Sequence, residues 1–234
     1  MTKARQLVER IYTDEVFSHG IAPDIFSDSI SHAQGIFLSR FIDTYRPRYV
    51  IELGFHYGIS SLWIQSARHA PDKHIIVDPY HHMPAPPVSG ILDDYIKNRK
   101  GVALEERLTS QEYLARACIK GRHVDMIFMD ASQWFDSVMT DMHFISRVLK
   151  IGGRVIIRNL YYKPVRKALM FYLRNLSFVV EGVPLWVQWA IRHVPVVGEL
   201  LLRYVQRPLG LCVIRLTGPD ERVTKNLWRH FVSF

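Results

Sequence analysis

The sequence predicts an α/β chain built on a mostly parallel sheet with helices on both faces. Three observations predict it. Apolar runs of about five residues alternate with helical stretches of about twelve, the rhythm of βαβ units. The runs are continuous rather than alternating, as in strands buried on both faces. Each also ends abruptly, at Gly54, Asp78 or Asp130.

With 234 residues and 27.3 kDa, the chain fits one domain, 1–234, and buries a substantial core. Hydrophobic residues make up 48% and charged residues 22%, which excludes a disordered or fibrous chain. No uncharged apolar stretch reaches the roughly 18 residues of a spanning helix. Residues 1–16 carry charges where a signal peptide needs its apolar region. Two cysteines, Cys118 and Cys212, make neither a disulfide framework nor a Cys-rich zinc site. A cytoplasmic location is therefore expected.

The elements follow in order. Residues 1–18 and 31–45 carry helical spacing and form an N-terminal helical segment, 1–46. In the second helix Ile36, Phe37, Phe41 and Ile42 mark a buried face, and Arg46-Pro47 ends it. Residues 49–53 read as a buried strand, 59–70 as a helix and 75–77 as a second strand. Residues 80–100, with three prolines and Gly90, are partly loop. A helix is expected over 110–118, a strand over 125–129 and a helix over 136–149. Gly152-Gly153 reads as a turn into strand 154–157. A basic helix, 162–175, leads to strand 177–183, and the last strand is 211–216. Between them lies an apolar insertion, 184–208.

Net charge is +8, and it is unevenly placed. Residues 160–234 hold 11 Lys and Arg against 4 Asp and Glu, so the rest of the chain is close to neutral. This excess suits an anionic partner or serves solubility alone.

In open α/β sheets ligands sit beyond the carboxyl ends of the strands. The first such end is Glu52-Leu53-Gly54-Phe55-His56-Tyr57-Gly58-Ile59-Ser60. A dinucleotide site wants G-x-G-x-x-G. Here His56 stands for the second glycine and Ile59 for the third, which disfavours a nucleotide-dependent oxidoreductase. What remains is an acid followed by a glycine turn, a better match to a ligand with an ammonium group than to a pyrophosphate. Asp78 ends the next strand, 26 positions after Glu52, near the offset of an acid that accepts ribose hydroxyls. A turn aspartate is the plainer reading.

IELGFHYGISSLW, IIVDPY, LTSQEYL, VDMIFMDASQWFDSVMTDM and LKIGGRVII, in this order and spacing, resemble class I S-adenosylmethionine-dependent methyltransferases. The likeness is to the small O-methyltransferase-like branch. It runs from about Ile30 to Leu160 and resumes with the final strand. The resemblance implies a Rossmann-like, doubly wound, seven-stranded sheet, mostly parallel, with an antiparallel last strand. It implies S-adenosyl-L-methionine as cofactor, with Glu52 at the end that receives the methionine part. Gly54 and Gly58 would pass beneath the cofactor, with Phe55, His56, Tyr57 and Ser60 around it. Asp78 would bind the ribose, Ser110 and Gln111 would lie by the adenine, and Asp130 would sit near the sulfonium and the acceptor.

The sequence departs from these relatives at two positions. Metal-dependent members have an Asp-Asn pair after the fifth strand, where this chain has Arg158-Asn159. Arginine is always protonated and offers no lone pair, so no bound metal is expected and Arg158 is expected to pair with Asp130. Gln133 stands where relatives carry Lys or His, and it takes no proton at neutral pH. His56, His81 and His82 are the alternative bases by location. The candidate catalytic residues are thus Asp130, Gln133, His56 and Asn159. The expected function is methyl transfer to a small or lipophilic acceptor, at oxygen and without metal. The alternative is a catalytically impaired cofactor-binding or scaffold protein.

The insertion 184–208 puts Trp186, Trp189 and His193, then Val197, Leu200, Leu201 and Tyr204, at helical spacing. Pro195 and Gly198 separate two short helices. The segment exceeds what a hairpin needs. It covers the acceptor pocket, forms a homodimer contact, or lies on a membrane surface, and the first two rank above the third. No nucleic-acid-binding module is recognised, so a nucleic-acid partner is not expected.

Overall fold

The computed structural model describes residues 3–13, 29–79, 98–105, 107–205 and 209–220. Two compact units make up the chain, 1–110 and 111–234. The first contains helices α1 (Lys3–Thr13), α2 (His32–Tyr45) and α3 (Ile59–Ser66), and strands β1 (Tyr49–Leu53), β2 (Lys73–Val77) and β3 (Val102–Glu105). Helix α4 (Ser110–Ile119) opens the second. There follow β4 (Val124–Met129), α5 (Phe135–Val148), β5 (Leu149–Arg158), α6 (Lys163–Asn175) and β6 (Phe178–Val180). The last elements are α7 (Leu185–His193), α8 (Pro195–Val205) and β7 (Leu211–Leu216).

The seven strands form a sheet in the order β3-β2-β1-β4-β5-β7-β6. β1 and β3 each pair parallel with β2, and β4 pairs parallel with β5. β7 runs antiparallel to both β5 and β6. The doubly wound, mostly parallel sheet with a reversed last strand is as expected. Among the described residues no helix is long and apolar enough to cross a membrane.

In the first unit, α2 starts with a reciprocal cap. Ser31 Oγ accepts the Gln34 N–H, and Gln34 Oε1 accepts the Ser31 N–H. It ends at Arg46, whose φ of 49° is left-handed and stops the helix before Pro47. Helix α3 is buried at all eight positions, so its polar residues need partners inside. Trp63, fully buried, packs on α2 where Gly35 leaves room: a Cβ there would come within 2.1 Å of the indole. Arg5 of α1 lies 4.4 Å above the same ring, a cation–π contact.

In the second unit, β5 is longer than expected. Gly152-Gly153 does not turn the chain but bulges it. Register jumps from Val124 opposite Leu149 to Met126 opposite Arg154, and Gly152 takes φ 85° to absorb the extra residues. β6 is shorter than expected, three residues, and its end is finished by a side chain. Gln188 of α7 accepts the Val180 N–H at 3.0 Å through Oε1, and its Nε2 donates to the Val180 carbonyl. The amide thus stands in for a neighbouring strand. β3 is the strand of the expected seven that the sequence did not locate. It is short and only half-buried, so it lacks the apolar run that marks the other strands. Helix α3 stops at Ser66, short of Ala70, and β2 starts at Lys73, earlier than Ile75.

Gly35→Ala is expected to destabilise the fold by about 1–3 kcal/mol, because the indole beneath it is fully enclosed. Urea unfolding measures this, and an unchanged midpoint would show that α2 shifts freely.

Candidate functional site

In the first unit the site is the turn between β1 and α3. Gly54, His56 and Gly58 all take positive φ, 93°, 48° and 76°. For His56 that conformation is unfavourable by about 1–2 kcal/mol. Asp78, at the end of β2, holds the turn: its Oδ2 accepts the N–H groups of Phe55 and His56, each at 2.9 Å. Phe55 folds inward and is buried, and a Cβ on Gly58 would lie 2.6 Å from its ring. Glycine is therefore required there for the turn's own packing. His56 is exposed and meets Tyr57 edge-on, centroids 3.7 Å apart.

Glu52 lies inside the fold and is fully buried. Ser60 Oγ donates to its Oε1, and Ser61 Oγ donates to its Oε2 at 2.6 Å. His74 Nε2 of β2 stands 2.9 Å from Oε2, close as an ion-pair contact but poorly aligned for a hydrogen bond. A chain of amides fixes this imidazole. Arg99 Nε donates to Gln65 Oε1, which turns Gln65 Nε2 toward His74 Nδ1 at 3.1 Å. Nδ1 accepts, so the ring proton sits on Nε2, facing the carboxylate.

In the second unit the site lies at the ends of β4 and β5. Asp130 Oδ2 accepts from Arg158 Nη1 at 2.9 Å, and Oδ1 accepts from Asn159 Nδ2 at 2.8 Å. The expected pairing of Arg158 with Asp130 is present. Asn159 is buried and left-handed, φ 67°, a conformation asparagine tolerates better than most residues. Desolvation and Tyr162 push the hydroxyl of the neighbouring Tyr161 up to about 12, so it stays protonated at neutral pH. Gln133 is exposed in the turn after β4. Gln111 Nε2 donates to Asp141 Oδ1 at 2.9 Å and to the Ser137 carbonyl, tying α4 to α5. Ser110 is buried at the start of α4. His81 and His82 lie outside the described residues.

The chain segment after Asn159 is braced from behind. Arg166 is buried, and its Nη1 donates to the carbonyls of Leu160 and Tyr161 at 2.7 and 2.6 Å. Its Nη2 reaches Glu199 of α8 at 3.4 Å, and Lys167 Nζ approaches the other carboxylate oxygen. Partial burial alone would raise the Glu199 pKa. Lys167 and Arg166 outweigh it and hold the carboxyl below its ordinary value.

Sequence reading brought Asp130, Arg158 and Asn159 together, and it grouped Asp78 with the glycine turn. It missed His74, Gln65 and Arg99, and it missed the Arg166–Glu199 brace. A lone His inside the apolar run K-H-I-I-V was the available signal, since a buried imidazole needs partners. Among the described residues, no group of three or more His, Cys, Asp or Glu side chains is placed to hold a metal ion.

Residues 51–159 match the family described as Methyltransferase domain. No curated protein matches the chain. Several solved structures share its fold. The SAH-bound methyltransferase PaMTH1 of Podospora anserina is 15% identical with a TM-score of 0.54, over 93% of this chain and 89% of that one. A methyltransferase from Geobacter sulfurreducens is 16% identical with a TM-score of 0.53, over 93% and 90%. The O-methyltransferase from Bacillus cereus in complex with SAH is 14% identical with a TM-score of 0.50, over 89% and 90%. The resemblance read from the sequence is to the same group of proteins.

The lowered Glu199 pKa has a sign. Its contribution to stability is full above the pKa of an unfolded glutamate and is lost as pH falls through the lower, folded value. Acid titration followed by circular dichroism is expected to show weakening only below the ordinary carboxylate range. Glu199→Gln is expected to remove that acid step, and a step unchanged in the variant would assign it elsewhere.

Proposed function

We propose that this chain, whose residues 51–159 match a methyltransferase domain, transfers a methyl group from S-adenosylmethionine to a small or lipophilic acceptor at oxygen, without a metal. The observation that carries the reading is the glycine turn pinned by Asp78. One feature fits the cofactor: a glycine-rich turn whose backbone is already held in place for a ligand. Asp78, which holds the turn, would also serve the ribose hydroxyls, as the resemblance implies. Gly54, His56, Tyr57 and Gly58 would line the cofactor, with Ser110 and Gln111 toward the adenine.

Glu52 and Ser60 act at one remove. Their mutual hydrogen bond sets the start of α3 and so the shape of the turn. Phe55 fills the turn from within. Bound S-adenosylmethionine supplies an activated methyl group on a sulfonium. The chain then has to align an acceptor oxygen with it, which is where most of the rate enhancement can come from. Asp130 is the residue to which we assign this. Arg158 and Asn159 donate to both its oxygens and fix its direction. Tyr161, protonated at neutral pH, is a hydrogen-bond donor beside it rather than a base. Gln133 orients without taking a proton. Among the described residues, we assign His56, exposed on the turn, to accept the acceptor's proton.

Titration calorimetry tests the cofactor. S-adenosylmethionine is expected to bind, and binding of NAD instead would overturn the reading. Asp78→Asn is expected to weaken binding about tenfold to a hundredfold, the effect of about 1–3 kcal/mol from a buried acceptor. Unchanged affinity would leave Asp78 a turn residue only. Transfer from labelled donor to a panel of phenols, sugars, amines and carboxylic acids tests the reaction. Activity is expected to survive a chelator, and loss on chelation would overturn the metal-free mechanism. Tight cofactor binding with no transfer to any acceptor would favour the scaffold alternative.

A further inference from the structure

Tryptophan is highly buried on average in folded proteins. Here the four described tryptophans divide differently. Trp63 is fully buried, whereas Trp134, Trp186 and Trp189 are 76%, 65% and 60% exposed. All three belong to the second unit and to one edge of its strands. β4 pairs parallel with β5, and β7 runs antiparallel to both β5 and β6, so β4, β5 and β6 point the same way. The segments leaving their carboxyl ends carry the exposed aromatics in turn: Trp134 and Phe135 after β4, Tyr161 and Tyr162 after β5, Trp186 and Trp189 after β6. Helix α8 adds Val196, Leu200 and Tyr204, also exposed.

This is not a loose segment. Val187, Ala190 and Ile191 of α7 are buried, and so is Leu202 of α8. A Cβ on Gly198 would lie 2.9 Å from Ile191 backbone atoms and from Met170 Cε, so the two helices are packed together and onto α6. The inner faces are used by the fold, and the outer faces are presented to solvent by a rigid support.

Charge selects the occupant. Within α7 and α8 the one acid is Glu199, already matched by Arg166, Lys167 and Arg203. Lys163, His193 and Arg203 are exposed nearby in sequence, and residues 160–234 carry 11 basic against 4 acidic residues. A second copy meeting this surface would set a positive segment against itself, because a two-fold contact joins like to like. An anionic bilayer surface attracts the same charges, and Trp and Tyr favour its headgroup layer. We propose that the carboxyl edge of the second unit docks on anionic phospholipid, with the outer faces of α7 and α8 in the headgroup layer.

Flotation with phosphatidylcholine vesicles, with and without phosphatidylserine, tests this, and it needs neither cofactor nor turnover. It therefore fails independently of the methyltransferase reading. The full chain is expected to float with phosphatidylserine vesicles, to bind phosphatidylcholine alone at least about tenfold more weakly, and to be released by salt. Trp186→Ser combined with Trp189→Ser changes only exposed side chains and is expected to keep the thermal midpoint while losing binding about tenfold or more. Brominated lipid is expected to quench the fluorescence of the unsubstituted chain. No preference for phosphatidylserine vesicles, or unchanged binding by the double variant, would overturn the proposal. So would light scattering that shows a dimer dissolved by the same substitutions, which would assign the surface to self-association.

Discussion

Glu52 is a carboxylate removed from water, and the first unit is arranged around its needs. Stripping an ion of water costs several kcal/mol unless its lone pairs are matched. Ser60 and Ser61 supply hydroxyls from the first turn of α3, and His74 supplies an imidazole edge from β2. Those partners come from the next two elements after β1, so satisfying one charge locks β1, α3 and β2 into register. The position is favourable for a second reason. α3 has no side-chain cap at Gly58, and a negative charge near its first turn complements the unpaired N–H groups there. The glycine turn lies between this carboxylate and that of Asp78. One fixes where the helix starts, and the other fixes the N–H groups of Phe55 and His56. Three positive φ angles in five residues are tolerated because both ends of the turn are held.

The second unit solves a similar problem with cations. Asp130 is held by a guanidinium and an amide, and Glu199 by two arginines and a lysine. Both Asp130 oxygens accept hydrogen bonds from the residues at the end of β5, so the carboxylate is fixed in direction. The brace behind it gives the insertion a role in the fold. Arg166 joins the carbonyls of Leu160 and Tyr161 to α8, so the position of Asn159 depends on a helix far along the chain.

Most of the frame was legible in the sequence because strands buried on both faces leave unbroken apolar runs. β1, β2, β4 and β7 were found that way, and helix ends at Arg46-Pro47 followed from proline sterics. β3 was not legible, since a half-exposed edge strand of four residues has no distinguishing pattern. Gly152-Gly153 misled for a related reason: glycine marks positive φ, and a bulge inside a strand uses it as readily as a turn does. At the site, the Arg158–Asp130 pair could be read because the family resemblance puts the two positions close together. The partners of Glu52 could not, since sequence shows that a buried acid needs donors but not which ones. Ser60 was grouped with the surroundings of a ligand, and its hydroxyl donates to Glu52.

The insertion separates what the fold needs from what it does not. Closing the end of β6 takes one amide, Gln188, which covers both backbone groups of Val180. Docking takes the inner faces of two short helices, together with Glu199. Neither task requires an aromatic residue on the outside, and a surface selected only for solubility would replace Trp186 and Trp189 with polar side chains. Arg192 makes the same point from the polar side: its Nη2 is turned inward to the Phe178 carbonyl at 3.0 Å, and its own carbonyl accepts from Arg174. A cation beside the exposed stripe is thus spent on holding the helix in place while large apolar rings are left in water. That allocation makes sense if the rings' contact lies outside the chain, because turning them inward would expose Val187, Ala190 and Ile191, which already fill the inner face of α7.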